Sequence, residues 1–60
     1  MSLTLDPNIH DPDDFYQELL EAHEHLSKAE SDAPNARLIL ILANHIGDRE
    51  VLRAALVAAK

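Results

Sequence analysis

Six apolar residues in a row, Leu38-Ile39-Leu40-Ile41-Leu42-Ala43, stand in a chain of only 60 residues, and this run restricts the fold more than any other feature. It falls far short of the roughly 18–20 residues that span a bilayer, so it belongs either to a buried strand or to a helix. A strand needs a partner, and no other segment offers one. Ala36, Arg37 and Ala43 favour a helix, and helix is the reading adopted. On a helix Ile39, Leu40, Ile41 and Leu42 point in four directions about 100° apart. Two short neighbours cannot cover all four. Either the core is over-supplied or one face is reserved for another chain. Arg37 and Asn44 flank Ile41 on one side, a mixed surface typical of an interface, although solvated edge residues would look the same. The candidate interface is Arg37, Leu40, Ile41, Asn44 and His45.

Around that helix the chain punctuates itself. Two Asp-Pro steps, Asp6-Pro7 and Asp11-Pro12, bias the preceding residues away from helix and predict an extended or turn-rich arm over residues 1–11. Asp11 is a candidate N-cap, with Pro12 at the first helical position and Asp13 and Asp14 at the positive helix end. Phe15, Leu19, Ala22, Leu26 and Ala29 recur at helical spacing, widened by Tyr16, Leu20 and His23, which predicts a first helix over 12–29. Glu18, Glu21, Glu24 and Lys28 cover its outside, with Glu24 and Lys28 as an i, i+4 pair. Ser31 or Asp32 caps the second helix, 32–46, which keeps Pro34 in its first turn, and Gly47, the only glycine, suits a left-handed stop. Asp48 caps a third helix over 49–59, whose apolar stripe of Val51, Leu52, Ala55, Leu56 and Ala59 lies opposite Arg49 and Arg53. The expected fold is all-α: a single small three-helix domain, with helices 2 and 3 as a hairpin behind the N-terminal arm.

Charge divides the chain in two. Residues 1–32 carry nine acids and one base, net −8, whereas residues 33–60 carry two acids and four bases, net +2. The halves should attract each other or their copies, so that helix 1 of one copy could lie beside helix 3 of another. The overall charge of −6 repels phosphate backbones and anionic lipid, so neither nucleic acid nor a membrane is an expected partner. With no cysteine there is no disulfide framework, zinc thiolate site or thiol nucleophile, and no basic n-region leads into an apolar h-region. The cytoplasm is the expected location.

Chemistry could hide in four histidines, His10, His23, His25 and His45. Glu21 and His25 stand one helical turn apart and could offer two ligands to a borderline metal, but two ligands do not make a site. The residues three before His23, His25 and His45 are Leu20, Ala22 and Leu42, so the Glu-x-x-His spacing of di-iron bundles is missing. Ser2, Thr4, Ser27, Ser31, Lys28 and Lys60 fall on caps, termini or exposed faces, and none is placed to act as an activated nucleophile. No cofactor, metal site or catalytic residue is therefore expected, and the chain is not read as an enzyme. Helices 2 and 3, with small Ala43 and Gly47, invite a helix-turn-helix comparison, but the following helix is alanine-rich and offers only Arg49 and Arg53 to read bases.

The stretch Asn35-Ala36-Arg37-Leu38-Ile39-Leu40-Ile41-Leu42-Ala43-Asn44-His45-Ile46-Gly47-Asp48, preceded by Asp11-Pro12-Asp13-Asp14-Phe15-Tyr16 and Leu19-Leu20-Glu21-Ala22-His23-Glu24, resembles a family of short proteobacterial proteins classed as a domain of unknown function. The resemblance covers nearly the whole chain and carries over no catalytic residue. It implies genes that neighbour flavin-dependent aromatic hydroxylases and other enzymes of aromatic catabolism, and hence an accessory role. Asn35, Arg37, Asn44, His45 and Asp48 are the positions it singles out for test. The expected function is that of a small, acidic, non-catalytic assembly or adaptor protein, homo-oligomeric, accessory to a larger enzyme, or both. A histidine-based metal or ligand sensor is the alternative.

Overall fold

The computed structural model describes residues 2–60. Residues 2–11 form no helix or strand, and three helices follow: α1 (Pro12–Ala22), α2 (Lys28–Ile46) and α3 (Arg49–Ala58). The protein is all-α, with α2 and α3 forming the hairpin expected from the sequence. Gly47 ends α2 at φ 72°, where a side chain would be strained, and its N–H donates to the Ala43 carbonyl at 2.9 Å. Asp48 then caps α3: its carboxylate accepts from the Glu50 N–H at 2.9 Å and the Val51 N–H at 3.4 Å.

The boundary between the first two helices differs from the sequence expectation. α1 stops at Ala22 instead of residue 29, and α2 begins at Lys28 instead of residue 32. The cause is a capping box. Glu30 N–H donates to the Ser27 hydroxyl at 3.1 Å, while Ser27 N–H donates back to the Glu30 carboxylate at 2.9 Å. Two orphan donors are satisfied at once, which outweighs the continuing stripe through Leu26 and Ala29. Ser31 and Asp32 consequently lie inside α2, and so does Pro34, whose missing N–H forgoes one internal bond. The expected Glu24–Lys28 pair is replaced by Lys28 with Asp32 at 3.4 Å, and Glu24 sits 3.6 Å from the His25 ring. His25 makes the reversal possible by adopting a left-handed backbone, φ 67°.

Asp11 is a second correction. Its backbone is left-handed (φ 51°) and its side chain caps nothing; the helix is opened instead by its main-chain carbonyl, which accepts the Phe15 N–H at 3.2 Å. The carboxylate lies 3.3 Å from the His10 ring on the surface.

Only α2 and α3 pack closely on one another, and Val51, 6% exposed, is the one buried apolar residue among those described. Leu3, Leu19, Leu38, Leu52, Ala43 and Ala55 are half-buried around it or along α1 and α2. Leu3 brings the arm back to α3, where it shares a shallow depression with Glu50, Val51 and Ala54. The chain exposes 5605 Å², against about 3,900 Å² expected of a compact monomer of this size. Its radius of gyration is 13.2 Å, against about 10.4 Å for a compact chain of equal length. The helices are formed, but their apolar faces are largely uncovered.

Candidate protein-interaction surface

Along α2, exposure follows the four-way display that the sequence dictates. Leu38 turns inward and is half-buried, while Ile39, Leu40, Ile41 and Leu42 remain 64%, 70%, 63% and 50% exposed. Arg37, Leu40, Ile41 and Asn44 are spaced three, one and three apart and share one face of the helix, with His45 at its edge a turn beyond Ile41. The outer face therefore carries two large aliphatic side chains between an arginine and an asparagine.

The structure divides these five residues between two environments. Arg37 and Ile41 also border a groove of about 270 Å³ between α1 and α2, lined with Leu19, Ala22, His23, Pro34, Asn35 and Leu38. Leu40, Asn44 and His45 lie outside it. Aliphatic carbons make up most of the groove's wall. Such a surface suits another apolar helix better than a small polar substrate.

His23 lines the groove and is its best-defined polar element. Its Nδ1 lies 2.8 Å from the Leu19 carbonyl oxygen and its Nε2 lies 2.7 Å from Oδ1 of Asn35. To donate to both at once the ring must carry both protons, and first the Leu19 carbonyl, then the Asn35 amide, raise its pKa above the ordinary histidine value. Sequence spacing placed His23 at the edge of the first helix's stripe, and nothing in the pattern linked it to a residue twelve positions away. Asn35 stood out only through the family resemblance. At the start of α2, the Ser27 main-chain N–H and then its hydroxyl hold the Glu30 carboxyl below its ordinary value.

The other histidines do not converge on His23. His10 faces Asp11 and His25 faces Glu24, both on the surface, and among the described residues no three His, Asp or Glu groups are arranged to hold a metal ion. Ion pairing is wholly local. Among the described residues it joins His10 with Asp11, Glu24 with His25, and Lys28 with Asp32, so Arg37, Arg49 and Arg53 enter no salt bridge within the chain. No helix among the described residues is long and apolar enough to cross a membrane.

Fold and surface together define a small three-helix protein whose large apolar side chains lie mostly on its outside. The chain belongs to the family described as "Protein of unknown function (DUF2783)", whose model matches residues 3–60. That agrees with the resemblance carried by the Asn35 to Asp48 stretch. No curated protein and no solved structure matches the chain.

Proposed function

We propose that this chain is a non-catalytic assembly or adaptor module whose working surface is the outer face of α2, centred on Leu40 and Ile41 and bounded by Arg37, Asn44 and His45. One observation carries the reading: among the described residues thirteen large apolar side chains are exposed while only Val51 is buried. Apolar area gives roughly 25 cal/mol per Å² when it is removed from water, so a surface of this kind is stabilised by being covered. Another copy of the chain covers it, or a larger enzyme does, such as the flavin-dependent aromatic hydroxylase that the family resemblance implies. The absence of cysteine suits a reducing cytoplasm.

The test is association. At tens of micromolar the wild type should sediment as a dimer or larger, and Leu40→Glu and Ile41→Glu should each shift it toward monomer. Leu40 is the cleaner probe because it does not border the groove with α1. An associated wild type that both substitutions leave intact would remove the α2 face from the proposal.

A further inference from the structure

We infer that two copies pair reciprocally, the acid-edged outer strip of α1 in one lying on the arginine-edged strip of α3 in the other. The inference rests on the reading of the chain as an assembly module and names the occupant and the contact. α1 packs closely on neither α2 nor α3; the His23–Asn35 hydrogen bond fastens its end. Yet Tyr16 and Leu20, four apart on its outer side, are 60% and 54% exposed. Asp13, Gln17 and Glu21 run beside them at the same spacing, and Glu21 is held only by the Gln17 amide, whose nitrogen donates to it at 3.2 Å. α1 thus presents an apolar pair with an acidic border, and no cation of α2 or α3 among the described residues meets it.

α3 presents the complement. Leu52 and Leu56 are four apart, Arg49 and Arg53 run beside them at the same spacing, and the four line one depression. Leu56 is 67% exposed. Two helices with matching i, i+4 ladders, one bordered by carboxylates and the other by guanidiniums, bury their apolar pairs and satisfy their charges in a single contact. Within one chain this contact is not made: α1 is fastened along the N-terminal half of α2, whereas the start of α3 adjoins the other end.

Area favours a second copy as the occupant. The chain exposes roughly 1,700 Å² more than a compact monomer of its size, and obligate homodimers bury about 1,000–2,500 Å² per copy. A twofold arrangement makes the contact twice, each copy lending its α1 strip to one contact and its α3 strip to the other.

A charge swap tests the pairing. One chain carries Gln17→Lys and Glu21→Lys, both on the strip's border; the other carries Arg49→Glu and Arg53→Glu. These changes put positive charge in the C-terminal half of α1 and negative charge in the first turns of α3, both favourable to the helix dipoles, so the helices themselves are not weakened. Each chain alone should self-associate at least about tenfold more weakly than wild type at low salt, because like charges then face each other. Mixed in equal amounts, they should form a heterodimer of near wild-type affinity, resolved by native mass spectrometry. Either reversed chain pairing with itself as tightly as wild type, or a mixture no tighter than its components, overturns the inference. If the wild type is still dispersed by Leu40→Glu in that case, the proposed role of the α2 face stands. A wild type that sediments as a monomer overturns the second copy and leaves both strips to a helix of another protein.

Discussion

Asp11 and Asp48 are the same residue type at the same formal position, one before a helix, and they do opposite things. Asp48 has extended backbone and accepts two main-chain N–H groups; Asp11 has left-handed backbone and accepts none. Asp48→Ala should therefore cost about 0.5–2 kcal/mol by leaving those donors unpaired. Asp11→Gly should cost nothing or stabilise, since glycine adopts φ 51° freely and no side-chain hydrogen bond is lost. Urea unfolding of both variants checks the contrast, and a loss at Asp11→Gly equal to that at Asp48→Ala would contradict it. The Asp-Pro pair at residues 11–12 marked the start of α1 correctly, but a cap is a matter of dihedral angle as well as residue type. Sequence reports the type alone.

At the scale of the helix, the fastening of α1 to α2 should depend on pH. His23 donates to the Leu19 carbonyl and the Asn35 amide only when protonated, and its native pKa is raised by these two acceptors, the carbonyl first. Below the ordinary histidine pKa of about 6.5 the ring is charged in both native and unfolded chains and the stabilisation is fully present. It declines as pH rises from there through the raised native value. NMR titration of the His23 imidazole should find it raised above the ordinary histidine value in the wild type, and Asn35→Ala should bring it down toward that value; an unmoved His23 would break the assignment. All three helices, the Gly47 stop and the Asp48 cap were legible because each follows from local chemistry. The junction between α1 and α2 was not. Ser27 and Glu30 form a capping box that lies inside a longer apolar period, and that period hides the break between the two helices. The candidate face on α2 was legible as well, since 100° per residue fixes which side chains share a side, whereas the His23–Asn35 bond depends on a chain reversal at His25 that no spacing announces.

For the whole molecule, surface is the controlling quantity. One buried residue cannot hold three helices together, because ordering each residue costs roughly 1–2 kcal/mol and must be offset by apolar area that this chain, alone, leaves in water. Under the proposed assembly, folding and association are a single equilibrium, and stability should depend on how much protein is present. For a dimer that unfolds to two chains, each tenfold dilution lowers apparent stability by about 1.4 kcal/mol, and the melting midpoint falls with it. Thermal or urea unfolding at about 1 and about 100 μM should therefore give separated transitions, the more concentrated sample being the more stable. Leu40→Glu should lower the midpoint at both concentrations, because it removes apolar area from the proposed contact without touching Val51. Midpoints that coincide across the concentration range would mean that the chain covers its apolar faces by itself, and the exposed run from Ile39 to Leu42 would then have to be buried by its own arm and α1.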